Sequence, residues 1–201
     1  MSKIETIEDL EKLYGTAVPA STQKVMAWLH PIYRRWIERS RFAVLTTVGP
    51  EGTDGTPRGD DGPVVQVLDD TTLAMPDWRG NNRLDSLRNI VRDGRVSCMF
   101  MVPGSNNAMR VNGQAHVSDD ADLLARFERK GILPRTVIVI EVGEVYFQCA
   151  RALVRSELWS SGDQSEGLPT AGEILDEVTK GELGGPDYDA AWPARAKATL
   201  W

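Results

Sequence analysis

The sequence predicts a mainly β protein with helical caps, a small β-barrel of the α+β class. From residue 41 onward, apolar side chains alternate with polar ones or form short apolar runs, which is typical of strands. The first three predicted strands follow one another with no helix between them, which disfavours a doubly wound sheet. Helical patterns are confined to the chain ends, a stretch after the third strand and another before the last. This order is typical of a barrel closed by helices.

The first 40 residues predict helices. A Thr-x-x-Asp pattern begins one at Thr6, and Gly15 ends it. A second apolar stripe runs from Val25 to Ile37 at steps of three and four residues, and Pro31 within it is predicted to begin a new helix as its first residue. We therefore assign residues 1–40 to an N-terminal helical segment.

Residues 41–160 are assigned to the barrel. The predicted strands are residues 42–48, 64–68, 72–75, 96–102, 108–117 and 136–149, with helices at 82–91 and from 119 or 120 to 130. Pro76 is predicted to stop the third strand because proline cannot donate to a ladder. Gly49, Gly52 and Gly55 superficially resemble a phosphate loop, but no helix follows them, so a hairpin turn is predicted instead.

Charge is uneven along the chain, whose formal net charge is −6. Residues 157–201 hold nine acids and three bases, so the other 20 acids and 20 bases balance in residues 1–156. We assign residues 161–201 to an acidic C-terminal extension that packs on the barrel or trails from it, with a helical patch around 172–180. An acidic chain lacks the basic field that a nucleic-acid binder needs, so no nucleic-acid partner is predicted.

The chain is predicted to be cytoplasmic and to have no membrane partner. No apolar run approaches the ~20 residues of a membrane span, and the acidic N-terminus is unlike a signal peptide. Cys98 and Cys149 lie in apolar runs and are predicted to be buried thiols without a disulfide. His30 and His116 lie far apart in unlike elements, so neither a metal site nor a Ser-His-Asp triad is predicted.

The stretch from Pro76 to Ile90 is the most informative one chemically. It ends a strand, turns through a glycine and begins a helix near Asn82, where unpaired N–H groups and the helix dipole favour an anion. Side-chain donors gather there from Arg79, Asn81, Asn82 and Arg83. Five arginines against two aspartates make the local charge from Arg79 to Arg95 +3. Arginine grips phosphate bidentately, so this stretch predicts a phosphate site, or else a capped helix with a solvated basic face.

Two other stretches allow a functional and a structural interpretation. The polar run from Arg58 to Gly62 contains glycines that would let backbone groups approach a flat polar ring, or it is a plain hairpin connection. Arg151 and Arg155 share a helix face after the last strand, with Trp159 one turn further on. That group is either a ligand contact or ordinary surface.

At these stretches the sequence resembles a known family, the pyridoxamine 5'-phosphate oxidase-like, FMN-binding split-barrel proteins. It looks closest to an uncharacterised FMN-dependent branch of that family. The matching motifs fall in order over about residues 37–160, and they are Pro-Arg-Gly-Asp at 57–60, Gly-Asn-Asn-Arg-Leu-Asp-Ser-Leu-Arg-Asn-Ile at 80–90, Pro-Gly at 103–104, Arg-Val-Asn-Gly-Gln-Ala at 110–115, Tyr-Phe-Gln-Cys-Ala-Arg-Ala at 146–152 and Arg-Ser-Glu-Leu-Trp at 155–159.

The resemblance implies a split-barrel homodimer with one FMN per protomer in clefts at the subunit interface. It places the phosphate grip on Asn82 and Arg83, beside Asn81. The cofactor ring would face a group of residues around two strands: Arg58, Val64, Val65, Val67, Met75, Pro76 and Asp77. Contacts from the partner subunit would come from Arg110, Arg151, Arg155 and Trp159. Gln148 and Arg151 stand where the resemblance leads us to expect His and Lys, so a proton-transfer role at 148 is not carried over.

The resemblance also implies an oxidoreductase that moves hydride between bound FMN and a small organic substrate or NAD(P)H. No residue is assigned as a general acid or base. Two alternatives stay open: a flavin- or deazaflavin-binding module without turnover of its own, and an anion-binding structural homodimer.

Overall fold

The strands form one antiparallel sheet of seven members, in the spatial order β2-β1-β5-β6-β7-β4-β3. The computed structural model describes residues 2–201. The strand bounds are β1 Phe42–Gly49, β2 Gly52–Gly59, β3 Gln66–Val67, β4 Thr72–Asp77, β5 Arg95–Met101, β6 Ala108–Ser118 and β7 Thr136–Gln148. The sheet is not closed, because β2 and β3 are its two edges. The predicted mainly β fold is therefore confirmed, as an open barrel.

Helices surround this sheet. Their bounds are α1 Ile7–Tyr14, α2 Pro19–Gln23, α3 Pro31–Ile37, α4 Asp85–Arg92, α5 Ala121–Ala125, α6 Arg151–Arg155, α7 Ala171–Val178 and α8 Pro186–Thr199. Thr6 caps α1 by accepting the N–H of Asp9 at 3.1 Å, and Pro31 begins α3, both as predicted. Residues 25–30 are not helical, because Met26 pairs with Val145 of β7 through two backbone hydrogen bonds of 3.0 and 2.8 Å.

The core lies between the curved strands, where alternate side chains of β1, β5 and β6 point inward. The β4–β7 pair is buried on both faces. Leu73 and Met75 belong to the main core, whereas Ala74 packs with Val137 and Phe127 in a second cluster on the opposite face. Trp78, directly after β4, is half-buried at the edge of this second cluster.

Side chains bridge the opening between the two sides of the sheet. Arg58 of β2 forms an ion pair with Asp77 of β4. The Trp78 indole donates a hydrogen bond of 3.0 Å to the carboxylate of Asp60, which also pairs with Arg129. The gap that makes this barrel a split one is thus crossed by charged and aromatic groups, and no strand pairing closes it.

The strand predictions missed β2 and misplaced two boundaries. β2 contains three glycines and Pro57, a composition typical of turns, and it is tolerated because β2 is an edge strand that pairs with β1 alone. Val64 and Val65 are buried in bends before the short β3.

Pro76 lies inside β4 and does not end it. The carbonyl of Thr72 accepts from Leu68 on the β3 side, so strand alternation turns the Pro76 nitrogen toward that same side, beyond the end of β3. No ladder hydrogen bond is lost there.

Three further differences concern helices and one thiol. α4 begins three residues later than predicted, α5 ends at Ala125 after being capped by Asp120, and α8 was not predicted because its apolar residues form no single face.

Cys98 is buried, which raises the pKa of its thiol to about 12. Cys149 is exposed, so the prediction that both thiols are buried was wrong for the residue that follows the end of β7.

Candidate functional site

A pocket of about 480 Å³ opens at one end of the gap between the sheet edges. Four pieces of chain line it: residues 54–58 of β2, the end of β4 with the loop 77–84, the first turn of α4, and Arg135 just before β7. Its volume is within the usual range for small-molecule sites. We refer to it below as the β2–α4 pocket.

The loop between β4 and α4 shapes one wall of this pocket. Asn82 and Leu84 both have positive φ angles, of 60° and 63°, so the chain cannot enter a helix before Asp85. The Asn81 side chain accepts the backbone N–H of Arg83 at 3.1 Å and tightens the turn. Leu84 at the N-cap position offers no side-chain cap, so the first-turn N–H groups of α4 lack that partner. The prediction of a helix starting near Asn82 is corrected, but the polar loop stays at the helix start.

Three arginines line the β2–α4 pocket, and they differ in their partners. Arg58 pairs with Asp77, and Arg83 pairs with Asp85. Arg135 has no carboxylate partner among the described residues and donates to the side-chain oxygen of Asn82 at 2.9 Å. Three aspartates balance the three arginines in formal charge, namely Asp54, Asp77 and Asp85.

The pair between Arg83 and Asp85 is solvent-exposed, with 80% of the arginine side chain accessible. Exposed ion pairs of this kind contribute little free energy, so an incoming anion competes for Arg83 at small cost. The Asp54 carboxylate is engaged elsewhere, since it accepts from the hydroxyl of the buried Ser86. The pocket is therefore suited to one compact anion at Asn82, Arg83 and Arg135.

The Arg58 side chain also leaves one donor unsatisfied inside this site. Its Nε is buried and has no hydrogen-bond partner within residues 2–201, although its terminal nitrogen pairs with Asp77. An orphaned buried donor costs free energy unless a ligand or water accepts from it. Arg58 therefore carries a buried donor that no group in residues 2–201 satisfies, while the residue as a whole lines the pocket.

Arg135 was missed by the sequence analysis. It lies just before β7, and its backbone N–H donates to the carbonyl of Asp77 at 3.0 Å. Only the pairing of β4 with β7 brings this arginine beside Asn82, so no local pattern could have revealed it. The one usable signal was a basic residue directly before a strand that pairs with β4.

Among the other predicted ring contacts, Val64, Val65, Met75 and Pro76 are buried, whereas Val67 is half-buried like Arg58. Val64 and Pro76 border a neighbouring cavity of about 150 Å³, which they share with Arg58 and Trp78. Val65 and Val67 line a different cavity of about 510 Å³. The Met75 side chain is fully buried in the core and reaches no solvent.

The remaining predicted residues gather elsewhere, and none of them lines the β2–α4 pocket in the described part of the chain. Arg110 of β6 donates to the hydroxyl of Tyr146 at 3.3 Å, and its buried Nε has no partner within residues 2–201. Arg151 and Arg155 are exposed on α6, and the Trp159 indole donates to the carbonyl of Ser105 at 2.8 Å. We call this group of four predicted residues the α6 surface.

No helix in residues 2–201 is long and apolar enough to cross a membrane.

Comparison with known proteins agrees with the fold described above. The family described as "Pyridoxamine 5'-phosphate oxidase" matches residues 29–149, which is more than half of the chain. No curated protein matches the chain by sequence.

Among solved structures, a single-residue variant of HupZ from Group A Streptococcus superposes with a TM-score of 0.50 and 16% identity, over 60% of this chain and 99% of that one. A Lactobacillus delbrueckii protein assigned as a pyridoxamine 5'-phosphate oxidase has a TM-score of 0.48 and 23% identity, over 60% and 95% of the two chains. An FMN-binding protein from Syntrophomonas wolfei has a TM-score of 0.43 and 12% identity, over 71% and 97%. The chain belongs to the pyridoxamine 5'-phosphate oxidase family and has its split-barrel fold.

Proposed function

We propose that this protein is an FMN-binding oxidoreductase that acts on a small organic substrate or NAD(P)H. The observation that carries the proposal is the β2–α4 pocket, where Arg83 and Arg135 meet at Asn82 beside an uncapped helix start. The family to which the chain belongs supports a flavin as the ligand.

The donor set of the pocket fits FMN. A phosphomonoester is a compact dianion, and arginine binds it with charge-assisted hydrogen bonds. Arg135 has no carboxylate partner in the described chain and is available for this role, and Arg83 is released from an exposed pair at small cost. Arg58 lines the same pocket, and its guanidinium would face the oxygen and nitrogen acceptors of a flavin ring. We propose that Asp77, Asn81 and Asn82 complete this half of the site.

Bound FMN would supply hydride transfer at its ring, and the protein would supply binding and orientation. Arg83 and Arg135 hold the phosphate end, and the Arg58–Asp77 pair holds the opposite wall across the gap in the barrel. Val64 and Pro76 contribute apolar side chains to the small cavity beside Arg58. We assign no acid or base, because the chain places no histidine in the pocket lining.

We further propose that the protein is a homodimer in which the α6 surface of one protomer faces the β2–α4 pocket of its partner. Two observations support this arrangement. The Arg110 Nε is a buried donor without a partner in the described chain, and Arg151 and Arg155 are exposed cations with no ion-pair partner there. A ligand bound across the interface would give the exposed Arg151 and Arg155 an anionic partner.

The proposal is tested by titrating the flavin-free protein with FMN and following flavin fluorescence. Wild type is expected to bind one FMN per chain, and Arg83→Ala is expected to weaken binding by roughly 10- to 150-fold, through loss of ~1.5–3 kcal/mol. Arg88→Ala is the matched control, since Arg88 is exposed on the same helix outside this pocket. Wild type that binds no FMN would contradict the proposal.

Turnover needs a separate measurement. Mixing the FMN-loaded protein anaerobically with NADH or NADPH is expected to bleach the flavin absorbance, with dithionite as the positive control. If dithionite alone reduces the flavin, the protein is a flavin-binding module for these donors and the oxidoreductase proposal fails for them.

A further inference from the structure

Trp201 packs against the wall of the β2–α4 pocket, although it lies far along the chain from the residues that form that pocket. α8 ends at Thr199, and the indole ring of Trp201 then meets the ring of Trp78 edge-on, with centroids 5.2 Å apart and planes inclined by 76°. The guanidinium of Arg129 lies over the same Trp201 ring, 4.8 Å from its centroid. The family match ends at residue 149, so this contact comes from outside the matched region.

Trp78 connects this contact to the candidate site. Its side chain lines both the 480 Å³ pocket and the 150 Å³ cavity beside Arg58. Its indole N–H donates to Asp60, whose side chain is only 3% exposed and also pairs with Arg129. Trp201 therefore touches both partners of the Asp60 carboxylate.

We infer that Trp201 is a positioning residue for the cofactor site: it holds Trp78 in the wall of the β2–α4 pocket. This inference rests on the proposed flavin function for its effect on binding, but the contact itself does not. An edge-to-face aromatic pair and a cation over an indole ring each contribute modestly beyond the area that they bury. Together they restrict the Trp78 ring to one orientation, so less ordering remains to be done when a ligand binds.

Trp201 is supplied by the acidic C-terminal extension, which contains α7 and α8. α7 and α8 pack on each other, and Gly172 and Gly184 allow the close backbone contact, since a Cβ at Gly184 would lie 2.4 Å from the carbonyl oxygen of Gly172. α7 and α8 expose several apolar side chains, whereas Trp201 is half-buried. The acidic extension thus reaches the barrel through an aromatic contact at the candidate site.

The experiment compares three variants of the full chain: Trp201→Ala, Trp201→Phe, and Trp192→Ala as matched control. Trp192 lies on α8, is 57% exposed and stacks only within its own helix, on Arg195. Trp201→Ala is expected to weaken FMN and riboflavin binding by the same factor, roughly three- to tenfold, because its effect is on the wall and not on the phosphate. Trp201→Phe is expected to restore most of the affinity, and Trp192→Ala to match wild type.

A double-mutant cycle shows whether Trp201 acts through Trp78. The variant with both Trp78→Ala and Trp201→Ala is expected to bind FMN no more weakly than Trp78→Ala alone. Additive losses would overturn the inference, as would unchanged affinity in Trp201→Ala.

A measurement on the flavin-free protein separates this inference from the proposed function. Trp201→Ala is expected to accelerate solvent exchange of the Trp78 indole proton, followed by NMR and assigned with Trp78→Phe, whereas Trp192→Ala leaves it unchanged. Unchanged exchange in Trp201→Ala overturns the positioning role, even if FMN binds wild type. Faster exchange in a protein that binds no flavin contradicts the proposed function and its dependent affinity effect, and leaves the contact established.

Discussion

The β2–α4 pocket and the α6 surface are both rich in arginine. Within residues 2–201, only the arginines of the pocket include members that form ion pairs. In the pocket, Arg58 of β2 and Arg135, just before β7, line the same cavity although they are far apart in sequence. On the α6 surface, Arg151 and Arg155 point into solvent and Arg110 keeps a buried, unpartnered nitrogen within residues 2–201. The difference indicates that the sheet topology brings the arginines of the pocket together, whereas Arg151 and Arg155 have no ion-pair partner within residues 2–201. The following predictions test this contrast.

The largest effect is expected where the pocket crosses the gap in the barrel. Asp77→Ala removes the ion-pair partner of Arg58. The Arg58 side chain is only 19% exposed, so the substitution leaves a largely buried positive charge without a counter-charge. The free energy of unfolding is expected to fall by about 3 kcal/mol, measured by urea denaturation. Asp61→Ala is the control, because its pair with Arg41 is exposed and contributes little. Equal losses in the two variants would show that the Arg58–Asp77 pair does not hold the split together.

Arg135→Ala tests the residue that sequence reasoning missed. FMN affinity is expected to fall by roughly 10- to 150-fold, because a charge-assisted phosphate contact of ~1.5–3 kcal/mol is lost. Arg126→Ala serves as control, since that arginine directly follows α5, lines a different cavity and bonds to Gln66. Unaltered binding in Arg135→Ala would remove it from the phosphate site and leave Arg83 alone there.

Arg155→Ala tests the α6 surface. If this surface faces a partner's pocket, FMN affinity is expected to fall a fewfold, in keeping with an exposed cation worth less than ~1 kcal/mol, and only at protein concentrations where sedimentation shows a dimer. Arg34→Ala, on α3, is the control, because Arg34 pairs with Glu38 within its own helix. A monomer that binds FMN with full affinity would contradict the interface proposal.

The smallest expected effect is a difference in chemical reactivity between the two thiols of the chain. Cys149 is exposed beside the α6 surface, whereas Cys98 is buried in the sheet with a thiol pKa of about 12, so almost none of it is thiolate at pH 8. One thiol per chain is expected to react with Ellman's reagent in the native protein and a second only after unfolding. Cys149→Ser is expected to abolish the fast reaction. Two fast thiols would mean that the core opens readily.

Local patterns were sufficient for most elements of the fold and for one wall of the β2–α4 pocket. Alternation located the apolar strands, and the Asn81-Asn82-Arg83 loop was identified from the turn and helix signals around it. Two of the failures share a cause, since β2 and Arg135 both depend on contacts distant in sequence. β2 is a strand only because β1 pairs with it, and Arg135 joins the site only through the pairing of β4 with β7.

Helix boundaries failed for a different reason. The positive φ of Asn82 and Leu84 delays α4, and nothing in the apolar stripe from 84 to 91 encodes those two backbone angles. The α8 helix lacks an apolar face, so neither the helix nor the contact of Trp201 with Trp78 could be predicted from periodicity.

The central claim is that the β2–α4 pocket holds the phosphate of a flavin. The most direct test is to compare the dissociation constants of FMN and riboflavin for the wild-type protein, since the two ligands differ by the phosphate alone. The account predicts that FMN binds at least about tenfold more tightly, and that Arg83→Ala combined with Arg135→Ala abolishes this preference. Equal affinity for the two ligands, or a preference that survives in the double variant, would contradict it.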